Sequence, residues 1–222
     1  MGIKTKVTMS IAVLLENDDK RVWLPLPANK SQFAAALEKI DGVCSDFAIK
    51  EYSSRVPSLK VKMLMEKPLS LVNYLAWRLN KLNEDDILKL CAIGESDMRF
   101  YTVEQFIEYT YTAEKYTLDV KILNEKELGK RELDKIDFKI LPPNFRKYIN
   151  LQDLGTGIAL KQKGEFTSLG YLTGAKGWDL PPKERHIPDS LNLKGYINDD
   201  LYGDYSNEYM IPSYKEADNE EA

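Results

Sequence analysis

The chain has 222 residues, 43% hydrophobic and 30% charged, enough for one large domain or two to three small ones. Its 31 bases and 35 acids leave a formal charge of −4, a balance that singles out neither nucleic acid nor membrane nor an acidic substrate. No run approaches the roughly 18 apolar residues of a membrane span, and two cysteines, Cys44 and Cys91, give no disulfide framework and point to a reducing cytoplasm.

In chain order, Met1 to Asp19 has basic residues but a short apolar core that runs into Glu16, Asp18 and Asp19, and reads as mature protein rather than a signal peptide. Thr8 to Leu15 is strand-like, Glu16 to Lys20 turns the chain, and Arg21 to Leu24 returns it; Pro25 and Pro27 are expected to stop the ladder. Ser31 is the expected N-cap of a helix through Ile40, followed by a strand from Phe47 to Tyr52. Residues 1–67 thus read as an N-terminal α+β unit.

The period then changes. Leu71, Leu75, Leu79 and Leu82 recur at helical spacing and predict an amphipathic helix. Asn83 can cap a second, with Ile87, Leu90 and Cys91 inside and Gly94 as its stop, and Thr102 a third, with Val103, Phe106, Ile107 and Tyr111 inside. Residues 68–112 read as a helical subdomain. A strand at Tyr116 to Val120, a helix from Glu125 to Ile136 interrupted by Gly129, a turn at Pro142-Pro143, a helix from Leu151 to Lys161 and a turn and strand over Gly164 to Leu172 make 113–172 a C-terminal α+β unit. Residues 173–222 form a loop-rich extension whose end reads as disordered.

Charge is segregated along this chain. Residues 84–137 carry 14 acids and 8 bases, net −6, and residues 198–222 carry 8 acids and one base, net −7. The intervening and preceding blocks are basic: 1–62 net +3, 63–83 net +2 and 138–197 net +4. Such asymmetry says more than the total.

Catalytic chemistry finds little footing. His186 is the only histidine and lies in a proline-flanked loop, and no nucleophile elbow precedes a helix. Cys91 falls on an apolar helical stripe, the place of a core residue. Metal binding lacks the clustered Cys and His it needs. Gly155-Thr156-Gly157 begins like a dinucleotide fingerprint, but Leu160 replaces the third glycine and no buried strand precedes it. Glu84-Asp85-Asp86 suit a helix's first turn through the macrodipole, and Glu104 and Glu108 lie one turn apart. A solvated face explains these acids; so does a surface that is itself a ligand.

The order of several segments resembles the ArdA family of antirestriction proteins of plasmids, conjugative transposons and phages. Val22-Trp23-Leu24-Pro25-Leu26-Pro27 is similar to its W-x-x-L/F-P stretch, and a helix and the strand Ile49-Lys50-Glu51-Tyr52 follow. Pro68 to Ala76 resembles its L-x-x-L-N-x-L-A helix. Glu127-Leu128-Gly129-Lys130 matches an E-L-G-R element, with Arg131-Glu132 where an aromatic pair usually follows. Leu141 to Gly155, continuing through Gly164 to Tyr171, is similar to the closing P…Y-I-D-x-x-x-x-G…G-x-F-x-x-x-G-Y pattern. The resemblance covers roughly residues 6–172 and leaves 173–222 without a counterpart.

The resemblance implies an α+β fold, elongated, of three small α/β and helical subdomains with a C-terminal extension, and a homodimer. It implies a cytoplasmic, non-enzymatic protein without cofactor or metal that binds neither membrane nor nucleic acid. Family members imitate the phosphates of bent B-form DNA and occupy the DNA groove of type I restriction-modification enzymes, where a polyanion competes for the same lysines and arginines. The acids expected to form that face are Glu84, Asp85, Asp86, Glu95, Asp97, Glu104, Glu108, Glu114 and Asp119. The alternative is a diverged ArdA-fold protein that binds other proteins or regulates a mobile element without DNA mimicry; the basic blocks, which would repel a cationic groove, favour it.

Overall fold

A computed structural model describes residues 11–42, 47–56, 59–65, 67–96, 102–137, 139–174, 187–191 and 193. Cys44, Asp97 and His186 lie outside them. The described residues form eight helices and two three-stranded antiparallel sheets, an α+β chain.

The first sheet has the order β2-β1-β3, with β1 Ile11–Asn17, β2 Lys20–Leu26 and β3 Ala48–Ser54. Ile11, Val13 and Leu15 alternate into the core, the period-two pattern of a strand with one face covered. The β1–β2 turn is only Asp18-Asp19, with Asp18 at φ 49°, a left-handed geometry that Asp tolerates. Pro25 does not stop the ladder: it pairs with Ala12, and Leu26 with Ile11 beyond it. Because β2 is an edge strand, the missing N–H of Pro25 need not deprive a neighbour of a bond.

Helix α1, Lys30–Lys39, begins one residue before the expected Ser31 cap; Asn29 caps it, in a reciprocal box with Gln32. Phe33, Ala36 and Leu37 carry its buried stripe. A short α2, Val61–Met65, packs against β3. Helix α3, Leu69–Leu79, is not amphipathic: every residue from Leu69 to Ala76 is buried. Helix α4, Glu84–Glu95, has the expected Asn83 cap and runs one residue past Gly94, and α5, Val103–Tyr109, has the Thr102 cap with a Gln105 box.

A 3-10 turn, Ala113–Lys115, leads into β4, Tyr116–Asp119, an edge of the second sheet, whose order is β4-β6-β5. Helix α6, Glu125–Asp134, runs unbroken through Gly129; α7 is Pro143–Arg146 and α8 is Leu151–Gln162. The hairpin β5, Glu165–Thr167, and β6, Gly170–Gly174, closes the unit. Gly129 serves contact rather than interruption. A Cβ there would meet the Leu151 carbonyl oxygen at 1.9 Å, and one on Gly155 would meet that of Glu125 at 1.8 Å. The two glycines let α6 and α8 touch backbone to backbone.

Two apolar clusters result. The larger runs from Ile11 through α1, α3, α4 and α5, includes Cys91, and takes in Leu172, Leu191 and Leu193. The smaller joins Ile122, Leu128, Ala159 and Tyr171 under α6 and α8.

Candidate partner-binding face

Several of the expected acids sit on elements that pack together: α4 contacts the 3-10 turn, β4 and β6, whereas α5, with Glu104 and Glu108, packs against α3. Glu84, Asp85 and Asp86 form the first turn of α4, where their charges complement the helix dipole. Glu84 and Asp85 are exposed, as is Glu114 in the 3-10 turn. No ion pair among the described residues includes any of these three.

Three others are partnered. Asp86 accepts from Lys89 Nζ at 3.0 Å and from the Asn83 amide at 2.8 Å. Glu104, on α5, binds Lys67 Nζ at 2.6 Å across 37 residues of sequence, while its second carboxylate oxygen is buried without a hydrogen bond among the described residues. Asp119 binds Arg131 Nη1 at 2.6 Å. Glu95 is exposed but accepts the Ser168 backbone N–H at 3.0 Å, tying the end of α4 to the β5–β6 turn. Glu108 is half-buried on α5.

The Asp119–Arg131 pair extends into a small network. Arg131 Nη2 also reaches Glu132 at 2.8 Å, and Lys135 donates to the same carboxylate at 2.7 Å. Partial burial disfavours charge on Glu132, but the bonds from Lys135 and Arg131 outweigh it and hold the carboxyl below its ordinary value. At the opposite end of the chain, a hydrogen bond from Lys50, helped by Arg21, holds Glu16 low against the desolvation that opposes it. Sequence reading missed these pairs because only the i,i+3 partners leave a local signature. Arg131–Asp119 and Lys67–Glu104 are set by packing.

Other chemistry is thinly supplied. A cavity of about 490 Å³ opens between β2 and α1, with Trp23, Pro25, Gln32, Lys39 and Asn80 in its wall. Lys39 is its one ionisable described lining residue, so it holds no pair of carboxylates for acid–base work. The described residues contain no group of three or more His, Cys, Asp or Glu that could hold a metal ion, and no described helix is long and apolar enough to cross a membrane.

The sequence model of the antirestriction protein family ArdA matches residues 20–173, well over half of the chain. The chain belongs to the ArdA family. A search of curated proteins finds no match. Membership gives the partly paired acidic surface a context: ArdA proteins are inhibitory antirestriction proteins, and restriction enzymes are their targets. The match ends at the last strand, β6, so Leu191 and Leu193, buried in the main core, lie beyond the family's span.

Proposed function

We propose that this ArdA-family chain blocks type I restriction-modification enzymes by presenting surface carboxylates where the enzyme expects DNA phosphates. The observation that carries this reading is the first turn of α4. It leaves Glu84 and Asp85 in solvent without an ion pair among the described residues, within the net −6 block and on a helix that packs against the turn that carries Glu114. A groove built to hold a polymer with one negative charge per about 1.7 Å of axis offers lysines and arginines to any such surface. Attraction of this kind speeds encounter and needs no catalytic group. The wider set of Glu95, Glu104, Glu108 and Asp119 contributes field to the same face, with Glu104 and Asp119 discounted by Lys67 and Arg131.

The working form is a cytoplasmic homodimer. Large apolar side chains left in solvent support the dimer: Val120, Leu123, Ile140, Phe145, Tyr148 and Leu160, all within 113–172, are each more than half exposed. One observation favours the alternative of a protein-binding accessory without mimicry, namely that Asp86, Glu104 and Asp119 already have cations of their own. Cleavage of unmodified DNA by a type I restriction enzyme, titrated with the purified protein, separates the two. Mimicry requires stoichiometric inhibition that fades with salt; an accessory leaves cleavage untouched.

A further inference from the structure

We infer that residues 187–191 and Leu193, beyond the family match, are a strap bound in cis in a groove on α3 and form an integral part of the folded unit. This goes beyond the antirestriction reading and does not depend on it. Eight consecutive buried residues, Leu69 to Ala76, span more than two turns at 3.6 residues per turn, so every face of α3 must be covered. A helix apolar on all sides is stable only inside a protein. The first sheet unit and α5 cover part of it. Ser70 and Asn73, three residues apart on one face, receive the strap.

The contacts are specific. Leu193 is fully buried and Leu191 nearly so, with Ile187 packed against the same core. The Leu193 N–H donates to Ser70 Oγ at 3.1 Å, and Asn73 Nδ2 donates to the Leu191 carbonyl at 3.0 Å. Asn73 is itself wholly buried. Its Oδ1 accepts the Ala28 N–H at 2.7 Å, and its Nδ2 donates to the Ala28 carbonyl at 2.8 Å. One carboxamide therefore joins the end of the first sheet, α3 and the strap. The Leu191 N–H closes a turn onto the Pro188 carbonyl at 2.8 Å. A peptide lying loosely on a surface would not bury two leucines and satisfy a buried amide at once.

Hydrogen exchange on the intact chain tests this first. The Leu193 amide should exchange at least about 100-fold more slowly than an unstructured amide, and Ser70→Ala should remove much of that protection. In the full chain, Leu193→Asp should lower Tm by about 5–10 °C, while Ala34→Asp, at an exposed position of α1, should leave it nearly unchanged. Truncation after His186 should lower Tm as Leu193→Asp does. An unprotected Leu193 amide, or equal melting of Leu193→Asp and wild type, would overturn the proposal. These readouts are indifferent to whether the protein inhibits a restriction enzyme.

Discussion

Replacing Gly129 or Gly155 with alanine should push α6 and α8 apart, whereas the same change at Gly157 should help. The new Cβ at 129 would lie 1.9 Å from the Leu151 oxygen, and at 155 it would lie 1.8 Å from the Glu125 oxygen. Ordinary contact begins at 3.4 Å, so the shortfalls are 3.4 − 1.9 = 1.5 Å and 3.4 − 1.8 = 1.6 Å. Both obstacles are backbone, which has no rotamer to yield. Alanine gains about 1 kcal/mol of helix propensity over glycine, and overpacking costs about 1–3 kcal/mol or more. Two backbone clashes of this depth belong at the upper end, leaving a net loss of about 2 kcal/mol for each variant. At about 2–4 °C per kcal/mol for a chain of this size, Tm should fall by about 4–8 °C. The double variant should lose less than the sum, because the first alanine already separates the helices. Gly157 has nothing within 4 Å of its would-be Cβ and lies in the same helix α8. Gly157→Ala should therefore raise Tm by about 1–4 °C. Thermal and urea unfolding of the three single variants decides the matter. If Gly129→Ala or Gly155→Ala matches or exceeds the wild type, the close crossing is wrong.

Further outcomes concern caps and acid. Asn29→Ala and Thr102→Ala each remove the side-chain acceptor of a capping box and should cost about 1 kcal/mol in denaturant titration, with Ser31→Ala nearly silent. Glu16 and Glu132 have folded pKa values below the ordinary 4.5, so the stability they supply is present above about 4.5 and is lost as pH falls through the lower folded value. Glu132→Gln should flatten the fall of Tm below that pH, and an unchanged acid limb would show that the network with Arg131 and Lys135 contributes nothing.

Local signals carried much of the fold. Alternation in Ile11 to Leu15 marks a strand covered on one face, and Asn83, Thr102 and Asn124 stand where caps should stand. Asn29 and Ser31 both precede the same apolar stripe, and only the Gln32 side chain, folding back on the Asn29 N–H, separates them. The two glycines of the α6–α8 crossing read locally as a helix break and a failed phosphate loop. Their meaning lies in a partner 22 or more residues away. Asn73 to Leu191 spans 118 residues, beyond any periodicity. The acids were legible as a charged block, but which of them stay unpaired depends on Lys67 and Arg131, brought in by tertiary packing.

The central claim is that the first-turn carboxylates of α4, Glu84 and Asp85 in solvent and Asp86 shared with Lys89, compete with DNA. The direct measurement is displacement of labelled DNA from a type I methyltransferase core by wild type and by the triple variant Glu84→Gln, Asp85→Asn, Asp86→Asn, at low and physiological salt. Loss of three first-turn acids costs at most about 0.3–1 kcal/mol each through the helix dipole, so a melting curve should show the variant still folded at assay temperature. The wild type should displace DNA, and weaken as salt rises because exposed charges are screened within about 8 Å at physiological ionic strength. The triple variant should need about tenfold more protein for half-displacement, equivalent to about 1.4 kcal/mol over three charges. Equal displacement by both proteins at both salt concentrations would contradict the account.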